Sequence, residues 1–412
     1  MTIRLPIANK RAFHRIYQKY LSSKTLNFQS ENSTRVVSFY DEKIDNFANQ
    51  PIRPVTLEKL LQFGTPPLTQ SQLLSSARYT QTELPQRLAR RVQQFQKLPY
   101  IVGINPHLSS VYHLYYNSFE AISSFPRIET ENQLNDFREM IDNLVKSHAG
   151  VIPSLAQGFL ECQKYISEDS IASFLDDMIR SRIGIRLIAE QHLALHMEQP
   201  NWVGVIQKNL CPKTLFTTTA KTVDQICQIN YGATPSIIFN GYDDCTFHYV
   251  PVHLEYIACE LLKNAYRATV EFANKHKIEN YPPIELTISA DSGLLGIRIR
   301  DRGGGMPSSN LKDIFKYSYT TETQKSNHGC KPFVQRSCSS DTMGSIFDLQ
   351  AILNMQACIG GPMAGLGYGL PMTKLYVEYF GGQFHLQTID GYGTDAFLVL
   401  KSIDEQAYQT QI

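Results

Sequence analysis

From about Val55 to Trp202, apolar residues recur at helical spacing. Leu84, Leu88, Val92 and Phe95 form one such row; Phe174, Leu175, Met178, Ile179 and Ile183 form another. A stripe of this kind marks a helix with one face turned to a core. Short breaks fall at Thr65-Pro66-Pro67, Asn105-Pro106 and Ser123-Ser124-Phe125-Pro126, where proline and small polar residues interrupt the period. About four long helices with short joints predict a bundle over residues 50–210. Pro212, in the Lys208–Lys213 stretch, marks its end.

The second half changes period. Ile284–Ser289 and Leu295–Arg300 alternate as strands and meet at Asp291-Ser292-Gly293, a hairpin signal. Gln383–Ile389 and Asp395–Leu400 repeat that arrangement around Asp390-Gly391-Tyr392-Gly393. Helical segments at about Pro251–Lys275 and Pro371–Phe380 lie between and beside them. Helices segregated against hairpins predict a layered α+β domain over residues 214–405. A polar stretch without periodicity, residues 322–361, is too long for an ordinary connection and reads as a lid over a site. No internal repeat is present.

Charge and composition change this picture at one end only. The formal net charge is +1, which gives no long-range attraction to nucleic acid, and no apolar run is long enough to cross a bilayer. The eight cysteines form no CxxC pair and stand apart from zinc-type histidine spacings, as in a protein with reduced thiols. Three of them, Cys330, Cys338 and Cys358, fall in the polar stretch. At the start, Arg4, Lys10, Arg11, Arg15, Lys19 and Lys24 all precede the first acidic residue, Glu31, with Ser22, Ser23 and Thr25 among them. An acid-free, hydroxyl-bearing basic segment over residues 1–35 fits a mitochondrial transit peptide and equally a solvated basic tail.

Three motifs carry candidate chemistry. In Glu260-Leu-Leu-Lys263-Asn264-Ala-Tyr-Arg267, a helix places Glu260, Asn264 and Arg267 on one face with Lys263 beside them. A carboxamide oxygen suits Mg²⁺ and a nearby carboxylate suits a base. Alone, the segment reads more readily as a solvated helix face. In Asp301-Arg-Gly303-Gly-Gly305-Met-Pro307, glycines follow a strand end and permit close backbone approach, while Asp301, when ionised, would accept an adenine amino group. In Gly365-Leu366-Gly367-Tyr368-Gly369-Leu370-Pro371, glycines precede a helix, where backbone N–H groups cradle phosphate. The P-loop lysine, the Rossmann strand and the His-Arg-Asp of ordinary protein kinases are all missing.

The order of the three motifs matches the ATP-binding fold of gyrase, Hsp90-type chaperones and bacterial histidine kinases, and Thr394 resembles its last adenine-side element. The expected architecture is therefore α+β: an N-terminal four-helix bundle followed by an α/β sandwich ATP-binding domain of the histidine-kinase/Hsp90/gyrase type. From about residue 50 onward the chain also resembles the mitochondrial 2-oxoacid dehydrogenase kinases. The resemblance is carried by Ser76–Arg91, Leu98–Pro106, Ser181–His196, Glu260–Val270 and Gly361–Gly382. It is closer to the branched-chain member, since Tyr256 stands where pyruvate dehydrogenase kinases carry histidine and the Asp-Trp motif is missing, Trp202 being the only tryptophan. His253 follows the pyruvate-type pattern, and the segment from Thr321 to Gly365 is longer than in either group.

That resemblance implies a protein-serine kinase of the mitochondrial matrix acting on the E1 α subunit of a branched-chain or pyruvate dehydrogenase complex. It implies Mg²⁺-ATP, with potassium as a further cation. It places the metal on Asn264, adenine on Asp301 with Thr394 on the same side, and phosphates on Thr320, Thr321 and the Gly365–Leu370 amides, with Lys263, Arg267, Gly303 and Gly305 also in the cofactor site and Glu260 as the base. It also implies a homodimer and a bundle that docks a lipoyl domain of the E2 core. Arg182 and Arg186, one helical turn apart, suit an oxoacid carboxylate, though an ion pair with a neighbouring helix fits them slightly better. His192 and His196 lack the neighbours of a phospho-accepting histidine. An ATP-driven clamp or a nucleotide-sensing scaffold shares the ATP fold. The clamp is disfavoured because the bundle precedes the ATP domain, and the scaffold because both Glu260 and Asn264 are present.

Overall fold

A computed structural model describes residues 42–64, 67–241, 244–291, 293–318 and 367–402. The expected transit segment at 1–35 and lid at 322–361 lie outside the described residues, as do Cys330, Cys338 and Cys358.

The first half is helical: α1 (Glu42–Ala48), α2 (Leu57–Leu61), α3 (Gln70–Gln96), α4 (Tyr100–Gly103), α5 (Pro106–Ser123), α6 (Glu131–Ser147), α7 (Val151–Cys162) and α8 (Glu168–Ala194). The four long members are α3, α5, α6 and α8, and both rows of apolar residues read from the sequence are buried. Among the described residues the first helix begins at Glu42, ahead of residue 50. Arg90 of α3 secures α1 by donating to the Ala48 carbonyl at 2.9 Å. The break at Asn105-Pro106 is a helix start: the Asn105 side chain accepts from the His107 and Leu108 amides, and Pro106 opens α5. Thr69 and Thr130 form capping boxes with Gln72 and Gln133 at the starts of α3 and α6.

The second half is a sheet covered by helices. The strands are β1 (Trp202–Val203), β2 (Ile206–Leu210), β3 (Ile237–Gly241), β4 (Phe247–Tyr249), β5 (Ile284–Asp291), β6 (Leu294–Arg300), β7 (Gln383–Ile389) and β8 (Gly393–Lys401). The helices are α9 (Pro212–Tyr231), α10 (Pro251–His276) and α11 (Gly369–Tyr379). The main sheet has order β3-β5-β6-β8-β7, antiparallel except for the parallel β3–β5 pair. Both hairpins expected from the alternation are present. The small sheet β1-β2-β4, strand β3 and helix α9 were not expected. The strand segments among them are short or mixed in period, and pairing across the fold makes them strands. The buried Gln191 side chain binds α8 to this region, donating to the Leu60 carbonyl at 3.0 Å and accepting from the Val205 amide at 2.8 Å.

Candidate active site

Helix α10 begins at Pro251 and buries a broad apolar face. The expected polar row on it divides. Glu260 and Lys263 are buried and paired, the ammonium donating to Glu260 Oε1 at 2.6 Å. Asn264, one turn on, is exposed. Arg267 is half-buried and donates to Glu271 at 3.0 Å, and Glu271 also accepts from the Tyr231 hydroxyl at 2.8 Å. The helix therefore brings together an inward carboxylate–ammonium pair and an outward carboxamide, with Arg267 engaged by its own helix.

Asp301 directly follows β6 and is buried. Its Oδ1 accepts from the Gly303 amide at 2.8 Å and the Thr394 amide at 3.3 Å, while its own amide donates to the Thr394 carbonyl at 2.9 Å. Thr394 thus meets Asp301 across the sheet, 93 residues later in sequence. Burial raises the Asp301 carboxyl to about 6, even though the Gly303 and Thr394 hydrogen bonds work in the other direction. A group poised there is a strong acceptor once a donor is offered. The glycines after it are dictated by space: a Cβ on Gly303 would lie 2.5 Å from the Ala268 backbone, so only glycine lets this turn lie against α10. Gly305 has φ of +62°, and its Cβ would lie 2.1 Å from the Ile389 carbonyl oxygen.

The third motif is described from Gly367, whose φ is +75°. Thr320, Thr321, Gly365 and Leu366 lie outside the described residues. Gly369 opens α11 directly against Glu260: a Cβ there would be 2.3 Å from Glu260 Oε2. The Glu260 carboxylate therefore sits between the Lys263 ammonium and the start of helix α11. Deeper in the same packing, His253 meets Tyr376 edge to face and Tyr256 packs against it at a tilt, with centroids 4.8 Å apart in both pairs. Burial, followed by the charge of Arg186, pushes His253 down to about 3; burial, followed by the charge of Glu260, pushes Tyr256 well above the tyrosine range. Both shifts make these groups poor bases at neutral pH.

A second cluster lies in the bundle. Arg182, Arg186, His148, Ser118 and Tyr115 line a cavity of about 30 Å³ among α3, α5, α6 and α8. Arg186 pairs with Glu190 on its own helix. No carboxylate among the described residues pairs with the buried Arg182. His148 Nε2 is 2.8 Å from the Ser118 hydroxyl, and burial together with the two arginines pushes the imidazole down to about 3. The buried Tyr115 hydroxyl lacks a hydrogen-bond partner. Two guanidinium groups and an unpartnered hydroxyl around a cavity suit a small anion. His148, Ser118 and Tyr115 carried no signal in the sequence, because three separate segments assemble the cavity wall. His192 and His196 are bundle residues, and Ser76 lies 3.2 Å from His192 Nδ1.

Residues 54–207 match the family model of the mitochondrial branched-chain alpha-ketoacid dehydrogenase kinase, and residues 249–350 that of the histidine kinase-, DNA gyrase B- and HSP90-like ATPase. The chain is 34% identical to the mitochondrial [pyruvate dehydrogenase (acetyl-transferring)] kinase of Arabidopsis thaliana, over 85% of this chain and 91% of that relative. It is 30% identical to kinase 1 of Saccharomyces cerevisiae, over 88% of each. With isozyme 4 of Mus musculus the identity is 29%, over 92% of this chain and 89% of the relative.

Proposed function

The chain belongs to the mitochondrial 2-oxoacid dehydrogenase kinase family and is an ATP-dependent protein kinase, and from that premise we propose that it phosphorylates a serine on the E1 α subunit of the pyruvate dehydrogenase complex in the mitochondrial matrix. The relatives named above, all pyruvate dehydrogenase kinases, support that substrate. The single observation that carries the site assignment is the placement of Gly369, at the start of α11, against the buried Glu260. It puts a candidate base within reach of the backbone amides suited to phosphate.

In this reading Asp301 accepts the adenine amino group, with Gly303, Gly305 and Thr394 shaping the turn around it. Lys263 and the amides of Gly367, Tyr368, Gly369 and Leu370 hold phosphate oxygens. Arg267 contributes through its field, being held by Glu271. Glu260 draws the proton from the serine hydroxyl as that oxygen attacks the γ-phosphoryl group. Asn264 presents a hard oxygen ligand one turn from Glu260, on the exposed side, and would hold Mg²⁺, which when bound neutralises phosphate charge. Phosphoryl transfer of this kind depends chiefly on positioning and charge neutralisation, which these groups provide.

Arg182 and Arg186, with Tyr115, bind the carboxylate of a small 2-oxoacid effector. The cavity has room for about one or two waters, so side chains must move to admit even the smallest such acid. A second reading, the branched-chain complex as substrate, is favoured by Tyr256 and by the match of residues 54–207. Incubation with ATP and the purified E1 of each complex decides between them. Faster phosphate incorporation into pyruvate dehydrogenase E1 supports the first reading, preference for the other E1 supports the second, and incorporation into neither rejects both.

A further inference from the structure

Helix α8 has two working faces. Arg182 and Arg186 turn one of them to the bundle cavity. Asp176, Arg180 and Gly184, four residues apart, share the other and meet the ATP-binding half. The Tyr317 hydroxyl donates to Asp176 Oδ1 at 2.6 Å. Arg180 lies 3.7 Å from Glu378 on α11. Gly184 lies so close to Tyr379 that a Cβ would come within 2.6 Å of the tyrosine oxygen, so a side chain there would push the tyrosine aside.

Of these contacts, the first reaches the site. The Tyr317 ring packs at a tilt against Tyr368 with centroids 5.0 Å apart, and Tyr368 is buried immediately ahead of Gly369. Gly369 in turn abuts Glu260. The contacts therefore run Asp176–Tyr317–Tyr368–Gly369–Glu260, from a bundle helix to the proposed base. Because the hydroxyl donates to a carboxylate at short range, this is the stronger class of hydrogen bond.

We infer that Asp176, acting through Tyr317, positions the Gly367–Leu370 turn over Glu260, so that a bundle helix forms the outer wall of the nucleotide phosphate site. The inference rests on the proposed roles of that turn and of Glu260. Asp176 and Tyr317 are positioning residues and touch no reacting atom. Loosening the turn weakens its grip on phosphate while leaving the base in place, because Lys263 holds Glu260 independently.

The test uses the full chain. Tyr317→Phe removes only the hydroxyl, Asp176→Ala removes the acceptor, and Asp176→Asn keeps an oxygen there. Affinity for ATP is read by calorimetry, and KM for ATP and kcat by phosphorylation of E1. Tyr317→Phe and Asp176→Ala should each weaken ATP binding by about threefold to tenfold, the scale of one charge-assisted hydrogen bond that is partly open to solvent. KM should rise in step while kcat stays within about twofold. The double variant should be no weaker than either single one, and Asp176→Asn should recover part of the loss. Tyr281→Phe, which removes a hydroxyl bonded to Asn274, is the control for a tyrosine away from this contact. Unchanged ATP affinity in both single variants, or losses that add in the double one, would overturn the inference. Calorimetry needs no protein substrate, so a wild type that binds ATP but phosphorylates neither E1 would refute the proposed function while leaving this contact measurable.

Discussion

The bundle cavity and the nucleotide site both bury an ionisable group, with opposite signs. In the cavity, burial and two arginines hold His148 neutral down to about 3. In the nucleotide site, burial holds Asp301 partly protonated up to about 6. The cavity thus keeps its positive charge on Arg182 and Arg186 and prevents the imidazole from adding to it. The nucleotide site keeps a carboxyl that ionises fully once a donor arrives. The lesson is that burial by itself sets no function. What distinguishes the two sites is the sign of the buried charge each holds, the Arg182 guanidinium in the bundle and the Asp301 carboxyl at the sheet end.

The sharpest way to break the comparison is at Glu260, the buried carboxylate that has a cationic partner. Glu260→Gln keeps the shape and removes the base, so single-turnover phosphorylation of E1 should fall by about 10²-fold or more with ATP affinity little changed. Transfer at the wild-type rate would remove Glu260 from the mechanism. The bundle counterpart is Arg182→Met, which keeps much of the packing and removes the charge. Affinity for pyruvate or a branched-chain 2-oxoacid, read by thermal shift, should fall about tenfold or more. Equal shifts in variant and wild type would count against the cavity as an anion site.

The two remaining predictions concern pH. An adenine amino group donating to Asp301 favours the ionised carboxyl, so nucleotide binding releases a proton. ATP affinity should therefore rise with pH, by less than about tenfold per pH unit, and level off above about 6. Asp301→Asn should bind more weakly and lose that dependence, which calorimetry in buffers of different ionisation heat can test. For stability the signs oppose. His148, His192 and His253 are each pushed down to about 3 from 6.5, so the stability they allow is complete above 6.5 and is lost as pH falls towards 3. Each costs up to about 1.4 kcal/mol per pH unit over that window. The raised Asp301 acts the other way, its contribution being complete below 3.8 and lost as pH rises through about 6. Three histidines outweigh one carboxyl, so the denaturation midpoint should fall as pH is lowered from 6.5, and His148→Asn should flatten that slope by roughly half between 3.8 and 6, where Asp301 opposes it. A midpoint independent of pH in this range would contradict the buried, neutral histidines.

The sequence by itself determined the elements whose period is strong and local. The apolar rows of α3 and α8, the helix α10 and the two hairpins all follow from spacing, because side-chain direction in a helix or strand is fixed by the backbone. It also marked Glu260, Asp301 and Gly369, since glycines and charged residues at element ends stand out where a regular pattern stops. Tertiary structure decided the rest. Strands β1 to β4 exist only because partners pair with them, and the row on α10 divides into buried and exposed residues according to what packs on each side. Arg267 is taken up by Glu271, and Asp301 meets Thr394 across the sheet. The cavity around Arg182, with His148 and Tyr115 in its wall, and the link from Asp176 to Tyr317 join residues far apart in the chain. Such contacts depend on where the chain returns in space, and a local pattern of residues cannot encode that distance.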